Sequence, residues 1–177
     1  MAWTTPGTAV AGAVLEADLW NSDVRDNTQY LKDQSDFLYT PPMCVVSRSS
    51  GLTYSTSGVA ITWNSEDVDT DSMYTSGTPT TITINTAGVY IVNLVIHFSA
   101  TSVGATYGVA AIKVGGSYAS RSGVVGTISG NTYVSTTLVQ SLSASSAITA
   151  QFDMSGAAGT QLINTSSYMS ALWVGTP

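Results

Sequence analysis

The side chains able to do chemistry are few. His97 is the single histidine and Cys44 the single cysteine, and beyond residue 40 the carboxylates are Glu66, Asp67, Asp69, Asp71 and Asp153. An active site needs convergent groups of suited pKa. His97 lies between Ile96 and Phe98 in an apolar alternating run, a setting that suits an interface or core residue better than a general base. The many serines lack a G-x-S-x-G elbow. Cys44 has no C-x-x-C partner and no H-E-x-x-H is present. A lone cysteine forms no intrachain disulfide, and Cys44 reads as a small buried hydrophobe at a strand start. Glu66, Asp67, Asp69 and Asp71 are spaced closely enough to attract Ca²⁺, but an EF-hand would need a Gly at its sixth position and a late Glu. A solvated acidic loop before Met73 is the simpler reading, with those four residues as weak metal candidates. Glycoside hydrolysis would need two carboxylates at one groove, and outside the acidic run only Asp153 remains. The expectation is a protein that is not an enzyme and carries no cofactor. Trp63, Tyr107, Tyr118 and Tyr133, read as loop or edge aromatics, are the side chains suited to stacking on sugar rings.

The elements that must position these residues come from a chain of 177 residues, enough for one ordinary domain and a small extension. Apolar residues make up 44 %, sufficient for a core, whereas only 9 % are charged. Ser and Thr outnumber charged residues by about three to one, far from average usage. The net charge of −6 and five basic residues, spread from Arg25 to Arg121, exclude an electrostatic grip on nucleic acid. No apolar run is long enough for a membrane span. The first residues lack the basic and apolar regions of a secretory signal, so synthesis in a cytoplasm is expected.

Residues 1–42 differ from the rest. Trp3-Thr4-Thr5-Pro6-Gly7 is turn-like. From Val14 to about Leu38 the pattern is helical, with Glu16 and Asp18 where the helix dipole favours negative charge. Ala17, Val24, Leu31 and Leu38 recur every seven residues, which puts Trp20, Asn27 and Gln34 at the other seam position. Two amides there weaken a plain zipper but suit a short bundle with amides on a symmetry axis; a surface helix packed on its own domain is the alternative. Pro41-Pro42 ends the helix. Trp3-Thr4-Thr5-Pro6, Ala11-Gly12-Ala13-Val14 and Leu19-Trp20-Asn21-Ser22-Asp23-Val24-Arg25-Asp26-Asn27 together resemble the N-terminal motif of small structural proteins of tailed bacteriophages. The resemblance implies that this segment docks on a virion, through Trp3, Pro6, Leu19, Trp20, Asn21, Val24, Arg25, Asn27 and Leu31. Leu15 departs from it, standing where the family places a capping Thr.

Residues 43–177 read as strands. Thr80–Ile84 alternates cleanly. In Val89–Phe98 the positions Tyr90, Val92, Leu94, Ile96 and Phe98 are all apolar and mark a core face. The opposite positions, Val89, Ile91, Asn93, Val95 and His97, are half apolar, and such a face should meet something other than water. Further strands are predicted at 108–114, 133–142, 147–154 and 167–174. Gly115-Gly116-Ser117 signals a hairpin turn. Many short strands joined by turns mean a sandwich or jelly roll.

Thr83-Ile84-Asn85-Thr86-Ala87-Gly88-Val89-Tyr90-Ile91 resembles the t-x-x-G-x-Y-x-f heart of C1q and tumour-necrosis-factor (TNF)-like heads. Ser167–Val174 is similar to that fold's last strand, with Ala171 where Gly is preferred. The resemblance implies a ten-strand jelly roll assembled as a compact trimer, with Ile91, Asn93, Val95 and His97 near the threefold axis. That family includes calcium-binding members, which keeps the acidic run in view.

The expectation is thus a mainly β protein: a helical docking segment over 1–42 and a C1q/TNF-like jelly-roll head over 43–177. Its partners are itself, as a homotrimer, and other phage virion proteins of capsid or tail. It is expected on the particle surface as a decoration or fibre protein. A tail-tip protein that binds a host surface glycan, or a secreted bacterial carbohydrate-binding module, is the alternative.

Overall fold

The computed structural model describes residues 3, 5, 17–54, 58–155 and 161–176. The chain divides into two compact units, residues 1–41 and 42–177. In the first, α1 (Ala17–Trp20) runs through a π-helical turn (Asn21–Asp26) into α2 (Asn27–Tyr39). The helix stops before Pro41 and Pro42, whose rings cannot continue it. The π turn spaces its hydrogen bonds one residue wider than an α-helix, so it slips the phase of a seven-residue repeat. Asn27 is only 3 % exposed, whereas Trp20, Val24 and Leu31 on the expected seam are exposed. Val14, Leu15 and Glu16 lie outside the described residues.

The second unit has ten strands among the described residues, every pairing antiparallel: β1 (Met43–Ser47), β2 (Leu52–Tyr54), β3 (Val59–Ala60), β4 (Ser65–Asp69), β5 (Thr81–Thr83), β6 (Gly88–Val114), β7 (Ser117–Leu142), β8 (Ala147–Ser155), β9 (Gln161–Ile163) and β10 (Tyr168–Gly175). Two layers result. The first runs β4-β1-β10-β6-β7, using the N-terminal half of β6 and the C-terminal half of β7. The second joins β3 and β5 through β8 to the C-terminal half of β6 and the N-terminal half of β7.

The sequence reading separates strands 89–98 and 108–114. They are parts of one strand of 27 residues that passes from layer to layer, with register shifts after Ala100 and Ala105. Bulges bend a strand and sharpen its twist, which lets one strand serve two sheets. Between β6 and β7 the chain reverses through Gly115 and Gly116 alone, at φ +56° and +84°. A two-residue hairpin with both φ values positive matches the twist of its strands, and glycine adopts it without strain.

The core follows from period-two alternation. Tyr90, Val92, Leu94, Ile96 and Phe98 of β6 are fully buried and face Ile82, Ile84, Ile148, Ala150 and Phe152 across the sandwich. Phe98 and Phe152 meet with ring centroids 4.7 Å apart. Cys44 is buried on β1, and burial first, then the charges of Asp69 and Glu66, push its thiol from 9.0 up to about 12. Burial, with the Asp71 charge second, likewise pushes Tyr90 from 10.0 up to about 12. Neither group offers a nucleophile near neutral pH.

Two aromatic and acidic assignments need correction. Trp63, read as a loop or edge aromatic, is 1 % exposed and belongs to the core. The acidic run is not wholly a loop: Glu66, Asp67 and Asp69 lie on β4, held there by pairing with β1. Acidic residues are poor strand formers locally, and the cross-strand pairing with Cys44–Ser47 overrides that preference.

Candidate functional site

The carboxylates are best followed atom by atom. Asp69 accepts the backbone N–H groups of Asp71, Met73 and Tyr74 at 3.2, 3.0 and 2.8 Å. Asp71 accepts the N–H of Thr86 at 3.0 Å. Asn85 Nδ2 donates to the carbonyls of Asp71 and Ser72 at 2.7 and 2.9 Å, and Ser72 has φ +53°. Asp69 and Asp71 therefore shape the chain after β4. Glu66 and Asp67 are exposed, and Asp67 accepts the Ser65 hydroxyl at 3.0 Å. No group of three or more His, Cys, Asp or Glu side chains converges among the described residues.

The half-apolar face of β6 extends across several strands. Ile91, Asn93, Val95 and His97 share the side of the first layer turned away from the core, since their neighbours Val92, Leu94, Ile96 and Phe98 are fully buried. Register extends each position into a row across the sheet. Met43, Leu172, Ile91 and Val139 form an apolar row over four strands. Val45, Ser170, Asn93 and Thr137 form the next, where the Thr137 hydroxyl donates to Asn93 Oδ1 at 2.6 Å. Ser47, Tyr168, Val95 and Ser135 follow. His97 pairs with Tyr133, and their rings stack 4.2 Å apart with planes 8° from parallel. Val139 is 64 % and Tyr133 59 % exposed. Over Met43–Ser47, Val89–His97, Tyr133–Ser141 and Tyr168–Val174 there is no Asp, Glu, Lys or Arg.

The sequence reading named candidate interface residues on one strand of this face and none on the strands beside it. Val139 was recoverable, because Tyr133–Leu142 alternates just as Val89–Phe98 does. Leu172, Tyr168 and Met43 were not, because nothing local states which strands lie beside β6. His97 is tied to the chain around β10: Ser167 Oγ accepts the His97 backbone N–H at 2.9 Å, and Asn164 N donates to its carbonyl at 2.8 Å. Its Nε2 stands 3.4 Å from Asn164 Nδ2, while Nδ1 is buried with no hydrogen-bond partner among the described residues.

The residues expected to dock lie in the first unit. Trp3 is exposed and meets Tyr30 edge to face, centroids 6.2 Å apart. Trp20, Val24 and Leu31 are exposed, Asn21 is half-buried, and Arg25 Nε donates to Asp26 at 3.0 Å. Asn27 is buried and so offers no surface. Pro6 and the side chain of Leu19 lie outside the described residues.

No family model matches this chain, and no curated protein does. Solved structures do match. Eiger TNF from S. frugiperda superposes with a TM-score of 0.58 at 10 % identity, over 77 % of this chain and 94 % of that one. The globular domain of zebrafish complement 1qA protein gives 0.56 at 13 % identity, over 77 % and 99 %. Murine APRIL gives 0.52 at 9 %, over 75 % and 98 %. Identity this low speaks for architecture alone. The protein is a mainly β sandwich with the jelly roll of TNF and C1q domains.

Proposed function

We propose that this protein is a structural component of a tailed-bacteriophage virion, a homotrimeric decoration or fibre protein docked on capsid or tail by residues 1–41. The observation that carries self-association is the uncharged, half-apolar outer face formed by Met43–Ser47, Val89–His97, Tyr133–Ser141 and Tyr168–Val174. Each Å² of apolar surface removed from water is worth about 25 cal/mol, and interface cores are depleted in charge and enriched in aromatics. The rows through Ile91, Asn93, Val95 and His97 meet both conditions. The number three comes from the jelly-roll resemblance, and the virion from the N-terminal motif. Synthesis in the host cytoplasm followed by display on the particle fits both.

Sedimentation of the purified chain tests the first half: three copies are expected, and a monomer at micromolar concentration would remove it. Immunogold labelling of intact particles tests the second. A chain starting at Pro42 should keep its β fold and its trimer and fail to join particles that lack the native protein. Recovery of that shortened chain on virions would refute docking by the first unit.

A further inference from the structure

The outer face of the second layer carries a different kind of surface. The head has three basic residues, Arg48, Lys113 and Arg121. Arg48 is buried and spent on the carbonyls of Ser50, Gly51 and Thr62. The other two flank one aromatic ring: Lys113 Nζ lies 4.9 Å and Arg121 Cζ 4.6 Å from the centroid of Tyr118. Gln151 organises the group. Its Oε1 accepts from Lys113 at 3.3 Å, and its amide donates to the Tyr118 hydroxyl at 2.7 Å and to Asp153 at 3.0 and 3.1 Å. The Arg121 guanidinium has no ion pair and no hydrogen bond among the described residues.

Register shows why a trough opens here. Gln151, Ala111 and Arg121 form one row across β8, β6 and β7, and Asp153, Val109 and Gly123 the next. The floor is therefore Ala111, Val109 and a glycine, while long side chains rise on both flanks. Gly123 is required, because a Cβ there would meet Val109 Cγ2 at 2.9 Å and the Gly108 carbonyl at 3.0 Å. Tyr107, Val109, Arg121, Val125 and Asp153 line a space of about 550 Å³. Val125, on its rim, is 88 % exposed.

We infer that this trough binds an acidic saccharide. Apolar and aromatic walls with a few placed polar groups make a small-molecule site, and the volume lies within the usual range of about 300–1,000 Å³. Tyr107, Val109 and Val125 offer a surface for the C–H face of a sugar ring. The Asp153 carboxylate accepts from ring hydroxyls. Arg121, held on the Tyr118 ring by cation–π attraction, presents a planar fork of N–H donors suited to a carboxylate. A neutral sugar would leave that fork unused, and a polyphosphate would meet Asp153. The trough lies on the layer that the proposed trimer does not use, so the inference stands apart from that reading.

The test is an array of oligosaccharides in which sialylated and uronic-acid-containing members are paired with their methyl esters and neutral counterparts, probed with the full chain. Binding of acidic members is expected. Titration calorimetry with the strongest of them should show at least a tenfold loss on methyl esterification, and again in Arg121→Gln and Asp153→Asn, with sedimentation and melting unchanged. Absence of any acidic ligand, equal binding of esters or neutral sugars, or full affinity in Arg121→Gln would overturn the assignment.

Discussion

His97 and Tyr133 face each other in register across β6 and β7 with rings stacked 4.2 Å apart and nearly parallel. The pair closes one end of the first-layer face. Because His97 is the only histidine, its ring protons need no assignment by mutation. They should resonate upfield of a free imidazole under the Tyr133 ring current and move back in Tyr133→Ala. Unmoved signals would show that the rings are not stacked in solution.

Ile91→Asp and Val139→Asp should each dissociate the assembly. The two residues are register partners on the outer face, so neither supports the core, and the melting of the isolated head should change little. A carboxylate buried without a partner costs several kcal/mol, and no basic residue lies in Met43–Ser47, Val89–His97, Tyr133–Ser141 or Tyr168–Val174, the segments that form this face. Either variant sedimenting like the parent would mean that this face remains wet.

Asp69→Asn should cost about 2–3 kcal/mol in urea unfolding, because three charge-assisted acceptances at backbone N–H groups are weakened or lost. EDTA should leave the melting temperature of the parent where it is. A large drop on chelation, restored by Ca²⁺, would show that these carboxylates serve a metal as well as the backbone.

Alkaline pH should unfold the head through Cys44 and Tyr90. Both folded-state values, about 12, lie above the ordinary 9.0 and 10.0, so the unfolded chain loses these protons first. Their contribution is complete below about pH 9 and is lost as pH rises toward 12. Cys44→Ala lowers stability at every pH through its cavity but should flatten the slope above about pH 9, where the thiol of the unfolded chain begins to titrate. An unchanged slope would show that the thiol is not buried.

Gly88→Ala should destabilise by about 1–3 kcal/mol, the usual cost of overpacking. A Cβ there would run into the Trp173 indole and approach the Gly175 carbonyl at 2.8 Å. Trp173, which donates to the Ala87 carbonyl at 3.4 Å, is the group that must move. The penalty should shrink in a Trp173→Leu background; an additive double variant would mean that the two sites do not touch.

Much of the head was legible because it is local. Alternation along Tyr90–Phe98 marks the core face without knowledge of any partner strand, since side chains of a strand point to opposite sides in turn. Gly115-Gly116 marks the hairpin because few residues tolerate positive φ twice in succession. Pro41-Pro42 marks the helix end because neither ring can continue the hydrogen-bond ladder.

The rest depends on what lies beside each residue, and that is set by pairing between distant segments. Trp63 reads as an edge aromatic until the sandwich closes over it. Asp69 reads as a solvated charge until three backbone N–H groups turn toward it. Strand β6 reads as two strands until β10 pairs with one half and β8 with the other. Lys113, Tyr118, Arg121, Gln151 and Asp153 have no motif in common, and only the register of β6, β7 and β8 puts them on one trough. Sequence alone determined which side of each strand is apolar, because that follows from a period of two. Tertiary structure decided which sides meet, because antiparallel register is a relation between segments that local chemistry does not encode.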